Sequence, residues 1–340
     1  MNDSVYNIAV AGATGAVGSV MLKLLEERDF PAASVRPLAS AGSAGKTVTF
    51  RGEELEVQEL TSESFAGIDI ALFSAGAARS REFAPAAVEA GAVVIDNSSA
   101  FRQEPSVPLV VPEVNPEDLK WHEGIIANPN CSTIQMVVAL KPIYDAVGIE
   151  RIVVTTFQAV SGTGNAAIEE LFRQSEAVLK SEEPAALVYP YQIAFNCLPH
   201  IESFHDNGYT NEEVKMVKET RKIFVDPLIG ITATCVRVPV FTGHSEAVNI
   251  RTSREISVEE ARRLMLAAPG VLLIDDPEAL RYPMPVEATG HDEVLVGRIR
   301  RDESAENSLN LWVVSDNVRK GAATNALQIA ELLVAEGLLT

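Results

Sequence analysis

The chain has 340 residues, of which 47% are hydrophobic and 22% are charged, a composition typical of a globular protein with substantial cores. Its length predicts two domains. The formal net charge is −19, from 28 Lys and Arg against 47 Asp and Glu, which argues against a nucleic acid or an anionic membrane surface as the main partner.

The cysteines and the chain start predict the cellular compartment. Cys131, Cys197 and Cys235 lie far apart and form no C-x-x-C pair, a pattern that favours reduced thiols over disulfides or a zinc site. The N-terminal residues show no basic region followed by a long apolar stretch, so we expect no signal peptide. No apolar run approaches the roughly 18 residues of a membrane span. We therefore expect a cytoplasmic protein without a bound metal.

The first third of the chain alternates short apolar runs with helical patterns. We predict strands at 6–12, 34–40, 69–76 and 92–99. Apolar residues at helical spacing follow the first of these strands, and another helical stretch separates the last two. Strand, helix and strand in this rhythm predict a doubly wound parallel sheet of the α/β class.

The middle of the chain has a different pattern. A strand within 151–164 runs into a glycine-rich loop, and exposed amphipathic helices are predicted at 165–179 and 210–224. Two β-branched segments, 230–243 and 245–253, predict a hairpin within a mixed sheet. A strongly periodic helix is predicted over 321–339.

The stretch "GATGAVG" places Gly12, Gly15 and Gly18 after the first strand and at the head of a helix. Glycines at this spacing allow a tight turn that brings backbone N–H groups against a pyrophosphate. The spacing is a variant of the usual dinucleotide fingerprint. The alternative is a turn that serves only close packing.

The end of the next strand indicates which dinucleotide is bound. NAD-binding proteins usually carry a carboxylate about 20 residues after the glycines, where it binds the ribose 2′-hydroxyl. Here "LASAGSAGK" has Ser40 and Ser43 but no carboxylate, and Lys46 is the nearest cation. This pattern favours NADP.

The stretch "NPNCSTIQM" places Cys131 where an apolar strand gives way to an apolar helix. Asn128 and Asn130 are good helix N-cap residues, so Cys131 is predicted near a helix N-terminus. Unpaired N–H groups and the helix dipole stabilise a thiolate there and could hold an oxyanion. The alternative is an inert, buried cysteine. A nucleophilic cysteine with a nicotinamide site suggests oxidation of an aldehyde through a thioester, or the reverse from an acyl phosphate.

Two further polar residues occur among β-branched segments. Arg237 alternates with Val236 and Val238 and therefore shares a strand face with Cys235. An inward guanidinium needs a carboxylate partner, from the protein or from a substrate. His244 follows at a predicted hairpin end, where an imidazole could exchange protons with a substrate. A structural role is the alternative for this histidine.

These residues belong to a series of motifs that runs from the glycine turn to the last helix. The series resembles aspartate-β-semialdehyde dehydrogenase, most strongly the bacterial branch of that family. The motifs are "FSAGAARSREFAP", "DNSSAFR", "VPLVVPEVN", "NPNCSTIQM", "QAVSGTG", "IAFNCLPHI", "EEVKMVKETRKI", "TCVRVPVFTGHSE", "VGRIRRD" and "WVVSDNVRKGAA". The resemblance implies NADPH-dependent, reversible reductive dephosphorylation of L-4-aspartyl phosphate to L-aspartate 4-semialdehyde. This reaction belongs to lysine, threonine and methionine biosynthesis.

The resemblance also implies a role for each matching residue. Cys131 would be the nucleophile, His244 the acid–base catalyst, and Gln158 the residue that orients the reacting group. Substrate-binding roles fall to Arg237 for the α-carboxylate, Glu212 for the amino group, Arg102 and Lys215 for the phosphate, and to Asn130. Cofactor-binding roles fall to Gly12, Thr14, Gly15, Ala16, Val17, Gly18, Ser40, Gly42, Ser43, Ser74, Ser161, Gly162 and Asn317.

The chain departs from the family pattern after the second strand. Many members carry an arginine there that would bind the 2′-phosphate of NADP, whereas this chain has Gly42. NAD therefore remains possible as a second cofactor. "SGTG" also replaces the more familiar Ser-Gly-Ala-Gly.

Two other functions remain open. N-acetyl-γ-glutamyl-phosphate reductase shares the fold, a catalytic cysteine and a histidine, but its acetylated substrate has no use for a carboxylate at Glu212. A catalytically silent nucleotide-binding paralogue should have lost Cys131 or His244.

The predicted architecture has two domains. Residues 1–128, joined by the C-terminal helix at 321–340, form a Rossmann-type dinucleotide-binding domain. Residues 129–320 form an α+β catalytic and dimerisation domain with a mixed sheet. The resemblance implies a homodimer.

Overall fold

The computed structural model describes residues 5–339. The chain divides into two compact units, one formed by residues up to Asn130 together with those from Ala322, and one formed by Cys131–Gly321. Within residues 5–339, no helix is both long enough and apolar enough to cross a bilayer.

The first unit is built on a six-stranded sheet with the order β5-β2-β1-β6-β7-β8, and all its strand pairs are parallel. A separate two-stranded antiparallel ladder joins β3 and β4. The strands are β1 (Tyr6–Ala11), β2 (Ala32–Ala39), β3 (Thr47–Phe50), β4 (Glu53–Glu56), β5 (Gln58–Glu59), β6 (Ile70–Phe73), β7 (Val93–Asp96) and β8 (Ile125–Ala127). The helices are α1 (Ala16–Glu27), α2 (Ala77–Glu89) and, at the end of the chain, α8 (Thr324–Glu336). The predicted Rossmann-type parallel sheet is confirmed.

Two apolar clusters cover this sheet, because its parallel strands are buried on both faces. One cluster contains Ile8 and Val10 of β1 with Leu327 and Leu333 of the last helix. The other contains Ala9, which alternates with them along β1. The C-terminal helix therefore completes the core of the first unit, although almost 200 residues of the second unit separate it in sequence from the rest of the first unit.

The second unit contains a mixed six-stranded sheet with the order β10-β9-β11-β14-β13-β12. Its strands are β9 (Ile149–Gln158), β10 (Gly230–Arg237), β11 (His244–Thr252), β12 (Val271–Leu273), β13 (Val294–Arg301) and β14 (Ser308–Ser315). Its helices are α3 (Cys131–Val147), α4 (Asn165–Leu179), α5 (Asn211–Ile223), α6 (Val258–Ala267) and α7 (Pro285–Ala288). A mixed sheet with helices was predicted, and this prediction is confirmed.

The predicted hairpin between β10 and β11 is wrong. β9 lies between them, paired parallel with β10 and antiparallel with β11. The six residues 238–243 therefore cross the end of β9 instead of forming a tight turn. The two segments have hairpin-like composition, but nothing local in the sequence shows that a third strand separates them.

The glycine turn between β1 and α1 is closely packed against backbone atoms, both of the turn itself and of Ser74. Gly12 has a φ of +90°, and a Cβ there would lie 2.3 Å from the Ser74 carbonyl oxygen. A Cβ on Gly18 would lie 2.1 Å from the Gly12 oxygen. Both positions therefore require glycine for packing alone, whatever the turn binds.

We expect Gly18→Ala to destabilise the first unit by about 2 kcal/mol, because overpacking a closed site forces the backbone to move. Gly42→Ala is the matched control, since a Cβ on Gly42 meets nothing within 4 Å. Thermal unfolding at equal protein concentration measures both variants. Equal midpoints for the two would contradict the packing role of Gly18.

Candidate active site

Cys131 is the first residue of α3, directly after the segment Asn128–Asn130. Its side chain is partly buried, and α3 has 17 residues. A Cβ on Gly321 would lie 2.9 Å from the Cys131 Cβ, so only glycine leaves room beside the thiol. The predicted position of Cys131 at a helix N-terminus is confirmed, and such a position stabilises a thiolate.

An asparagine cluster in the first unit holds the segment that leads to Cys131. Asn128 is fully buried, and its Nδ2 donates to Asn97 Oδ1 at 2.6 Å and to the Ala322 carbonyl at 3.2 Å. Its Oδ1 accepts from Asn325 Nδ2 at 2.6 Å. Asn128 thus ties this segment to the start of α8, a role that the sequence did not indicate.

His244 is fully buried at the start of β11. Its Nδ1 accepts the backbone N–H of Ala159 at 3.0 Å, whereas its Nε2 has no hydrogen-bond partner among the residues that the structure describes. Burial lowers the pKa of His244 well below its ordinary value, and the nearby charge of Arg237 lowers it further. The resting imidazole is therefore neutral at neutral pH.

Arg237, at the end of β10, is 5% exposed. Its Nη1 donates to the Ala159 carbonyl at 2.7 Å, and its guanidinium lies 6.0 Å from the centre of the Tyr189 ring. No carboxylate within residues 5–339 forms an ion pair with it, and its Nε has no hydrogen-bond partner there. Burying a cation without an ion-pair partner costs free energy, and a bound anionic ligand would offset that cost.

Gly162 lies against both of these side chains. A Cβ there would lie 3.1 Å from Arg237 Nη1 and 3.3 Å from both Cε1 and Nε2 of His244. The resemblance assigns Gly162 to the cofactor, and the structure adds that a side chain at this position would press against both Arg237 and His244.

Gln158, Glu212 and Lys215 form one hydrogen-bonded chain. Gln158 Nε2 donates to Glu212 Oε1 at 3.1 Å, and Lys215 Nζ donates to Glu212 Oε2 at 3.3 Å. Lys215 also pairs with Glu202. Helix α5 was predicted to be an exposed amphipathic helix, but Glu212 is only 4% exposed, because the helix packs this face on β10.

Tyr189 brings the loop 180–192 to Arg237, and the sequence did not indicate this contact. The backbone N–H groups of Leu187 and Tyr189 donate to the Glu170 carboxylate at 2.8 and 3.2 Å. Tyr189 Oη donates to Thr163 Oγ1 at 3.0 Å. A buried glutamate of α4 thus anchors this loop.

Ser161 and Asn317, both predicted to contact the cofactor, are hydrogen-bonded to each other within the second unit. Asn317 Nδ2 donates to Ser161 Oγ at 2.9 Å, and Asn317 Oδ1 accepts the Gly243 N–H at 2.9 Å. The pair joins the loop after β9 to the residues after β14.

The other predicted cofactor residues lie in the first unit. Helix α1 begins at Ala16 after Gly15, and no side chain caps it, so its first N–H groups can bind a phosphate. Thr14 and Val17 flank this start. Ser40, Gly42 and Ser43 form the turn after β2, where Lys46 Nζ lies 3.5 Å from Ser43 Oγ. Ser74 follows β6 and packs its carbonyl against Gly12.

Two predicted phosphate or substrate residues also lie in the first unit. Arg102, 7% exposed, donates from Nη2 to the Asn97 carbonyl at 2.9 Å. Asn130, 6% exposed, directly precedes Cys131. Arg102 is therefore a buried residue and not an ordinary surface cation.

Glu246, which sequence reasoning missed, is fully buried two residues after His244. Neither carboxyl oxygen has a hydrogen-bond partner of normal geometry in the described part of the chain. Burial raises the pKa of Glu246 well above its ordinary value, and the nearby Gln135 amide offsets only part of this. Gln135 also lies 3.5 Å from the His244 carbonyl. Burial thus favours the uncharged form of a glutamic acid two residues from the histidine.

The remaining cysteines do not resemble Cys131. Burial raises the pKa of the Cys235 thiol, and its Sγ lies 3.7 Å from Met216 Sδ. Cys197 is exposed. The described residues contain no group of three or more His, Cys, Asp or Glu that could bind a metal ion.

A Rossmann-type sheet with a cysteine at a helix start and a buried histidine is typical of the dehydrogenase class. Two family models match the chain: "Semialdehyde dehydrogenase, NAD binding domain" over residues 7–122 and "Semialdehyde dehydrogenase, dimerisation domain" over residues 140–320. The chain belongs to the semialdehyde dehydrogenase family.

Curated relatives give a more specific comparison. The aspartate-semialdehyde dehydrogenase of Aquifex aeolicus is 60% identical over 338 residues, which cover 98% of this chain and 99% of the relative. The Bacillus subtilis enzyme of the same name is 55% identical, with 96% of this chain and 97% of the relative covered. The resemblance inferred from the motifs is confirmed.

Solved structures agree with these relatives. Aspartate semialdehyde dehydrogenase II from Vibrio cholerae, complexed with ASA, has a TM-score of 0.95 at 54% identity, covering 98% of this chain and 99% of that one. The Candida albicans enzyme with NADP has a TM-score of 0.76 at 28% identity, covering 98% and 99%.

We expect Glu246→Gln to change the pH dependence of stability. The native pKa of Glu246 is raised, so the native state keeps a proton that the unfolded chain loses above the ordinary value of 4.5. The wild type should therefore lose about 1.4 kcal/mol of unfolding free energy per pH unit, relative to the variant, as pH rises towards the native pKa.

Chemical unfolding between about pH 5 and about pH 8, above the ordinary pKa of a glutamate, measures this difference. Exposed Glu89→Gln is the control and should show no such trend. A difference between Glu246→Gln and wild type that is constant with pH would show that the native carboxyl is ionised.

Proposed function

We propose that the protein catalyses the reversible, NADPH-dependent conversion of L-4-aspartyl phosphate to L-aspartate 4-semialdehyde and phosphate, through a thioester on Cys131. Relatives at 55–60% identity over nearly the whole chain carry the name of this enzyme, and a structural neighbour has been solved with ASA. This reaction belongs to amino-acid biosynthesis.

The observation that carries the proposal is the unpaired state of Arg237. Its guanidinium is almost fully buried, and no protein carboxylate neutralises it within the described chain. A substrate carboxylate is the simplest partner, because guanidinium and carboxylate form strong paired hydrogen bonds. The α-carboxylate of the aspartyl substrate supplies this group.

Glu212 supports an aspartyl substrate over an N-acetylated one. Its carboxylate is buried and accepts hydrogen bonds from Gln158 and Lys215. A free, charged amino group gains from such a carboxylate, whereas an acetylated nitrogen does not. The relatives likewise do not favour N-acetyl-γ-glutamyl-phosphate reductase.

The chemistry begins at the sulfur of Cys131. The thiolate at the start of α3 attacks the β-acyl carbon, and phosphate leaves with the bonding pair. We assign Arg102 and Lys215 to the departing phosphate, Gln158 to orienting the acyl group, and Asn130 to the substrate next to the thiol. We assign His244 as the acid–base catalyst.

The residues fit a nicotinamide dinucleotide. The uncapped N-terminus of α1 and the close approach of its glycines suit a pyrophosphate, and we assign Thr14, Ala16, Val17, Ser161, Gly162 and Asn317 to the same cofactor. NADPH, when bound, supplies the hydride that reduces the thioester. A relative solved with NADP supports NADP as the cofactor. NAD is proposed as a second cofactor because Gly42 replaces the arginine that many family members carry.

A homodimer is the proposed assembly. The family model over residues 140–320 describes a dimerisation domain. Large apolar side chains are exposed along one stretch of this region: Phe172, Leu179, Leu187, Tyr191 and Phe195. Exposed apolar residues in such number are typical of an interface.

The first test is phosphate-dependent formation of NADPH from L-aspartate semialdehyde. We expect turnover by the wild type, none by Cys131→Ser, and normal turnover by the exposed control Cys197→Ser, because a hydroxyl at Cys131 would remain protonated and unreactive. Turnover of N-acetylglutamate semialdehyde alone would contradict the aspartyl substrate.

Gly42→Arg tests the cofactor assignment. Gly42 has open space around its Cβ position, so the arginine fits without strain. A guanidinium on the 2′-phosphate should raise the NADP-over-NAD ratio of kcat/KM by about tenfold or more, since hydrogen bonds to charged groups contribute about 1.5–3 kcal/mol. An unchanged ratio would place the 2′-phosphate away from this turn. Gly42→Ala is the control.

A further inference from the structure

Two buried side chains of α4 hold the segment 187–194 in place. The Glu170 carboxylate accepts the backbone N–H of Tyr189 at 3.2 Å, and Gln174 Oε1 accepts the backbone N–H of Ile193 at 2.8 Å. Both α4 residues are buried, and hydrogen bonds of buried polar groups fix the positions of the groups that they join. The backbone that carries the Tyr189 side chain is therefore anchored to α4.

The same stretch of chain reaches Arg237 through its backbone. The Leu198 N–H donates to the Arg237 carbonyl at 2.9 Å, and the Arg237 N–H donates to the Leu198 carbonyl at 2.8 Å. The two residues form an antiparallel bridge at the end of β10. The chain on either side of Tyr189 is thus tied both to α4 and to the residue whose guanidinium lies in the site.

The Tyr189 side chain lies between Arg237 and the loop that follows β9. Arg237 Cζ lies over the ring, 6.0 Å from its centre, within the range of a cation–π contact. At the other end of the ring, Tyr189 Oη donates to Thr163 Oγ1 at 3.0 Å. Burial raises the pKa of Tyr189, and the charge of Arg237 offsets only part of this rise. The hydroxyl therefore stays protonated and can donate at neutral pH.

These contacts restrict how the guanidinium of Arg237 can rotate. Its Nη1 donates to the Ala159 carbonyl at 2.7 Å, and the Tyr189 ring covers one of its faces. Its Nε has no hydrogen-bond partner among residues 5–339. A guanidinium binds a carboxylate best through two parallel N–H donors in one plane, so an arginine with a fixed plane binds it more tightly than one that rotates.

We infer that Tyr189 is a positioning residue whose ring, held by the Thr163 hydroxyl, fixes the guanidinium of Arg237 for the substrate α-carboxylate and shields it from water. The inference rests on the proposed function, in which Arg237 binds that carboxylate. Shielding strengthens the pair because charges attract more strongly where water is excluded. Thr163 stands where the more familiar Ser-Gly-Ala-Gly motif has alanine, which offers no acceptor for the tyrosine.

Tyr189→Leu removes the ring and tests its effect on substrate binding. We expect KM for L-aspartate semialdehyde to rise at least about fivefold, the loss of one cation–π contact. We expect kcat to change by less than about twofold, because a carboxylate away from the reacting carbon is bound equally in the ground and transition states. Exposed Tyr282→Leu is the control and should change neither constant. An unchanged KM, or a loss confined to kcat, would overturn the inference.

The hydrogen bond between Tyr189 and Thr163 can be removed from either side. Tyr189→Phe and Thr163→Ala both abolish it and keep the ring. We expect each to raise the same KM by about twofold, the lower end for a neutral hydrogen bond. The double variant should show no further rise, because the two changes remove one shared interaction. Effects that add in the double variant would overturn the inferred link through Thr163.

Phenylglyoxal modification of Arg237, followed by peptide mass spectrometry, needs neither substrate nor turnover. We expect faster modification of Arg237 in Tyr189→Leu than in the wild type and in Tyr282→Leu, because the ring no longer covers the guanidinium. Equal rates in a variant whose thermal midpoint shows that it is folded would overturn the inference. If Tyr189→Leu does not fold, Tyr189→Phe and Thr163→Ala still test it.

The two kinds of readout also separate this inference from the proposed function. If the wild type turns over no L-aspartate semialdehyde, the proposed function fails. The rates of arginine modification still report whether Tyr189 covers Arg237. If the wild type is active and the Tyr189 variants keep its KM, only the positioning role fails.

Discussion

The second unit's site depends on the backbone at Ala159, directly after β9. Its N–H donates to His244 Nδ1 and its carbonyl accepts from Arg237 Nη1, so one residue positions both side chains. The following N–H groups of Val160 and Ser161 donate to the carbonyls of Val240 and Phe241. This arrangement requires β9 to lie between β10 and β11, because only then do the ends of all three strands meet at one turn.

Neutral and charged polar groups are buried together around this turn, and burial decides their protonation. Arg237 remains charged because guanidinium does not lose its proton in proteins, whereas burial favours the neutral forms of His244 and Glu246. The result is a buried, charged arginine beside a buried, neutral imidazole. A nearly buried guanidinium without an ion-pair partner in the described chain favours an anionic ligand.

Much of the fold could be predicted because its signals are local. The alternation of strands and helices in the first third, the glycine turn, and the helix that begins at Cys131 all depend on neighbouring residues. The hairpin of β10 and β11 was predicted wrongly because strand order is a long-range property. Helix α5 was predicted as exposed because a charge-rich sequence usually is, yet packing on β10 buries Glu212.

The sequence by itself determined the fold class, a cysteine at a helix start, and, through ordered motifs, the family. It also placed Arg237 on an inward strand face. Only the tertiary structure decided that no carboxylate within residues 5–339 pairs with this arginine, that the Ala159 N–H donates to His244 Nδ1, and that Gly321 leaves room for Cys131. These properties arise from contacts between residues far apart in the chain, whose distances and burial no local pattern records.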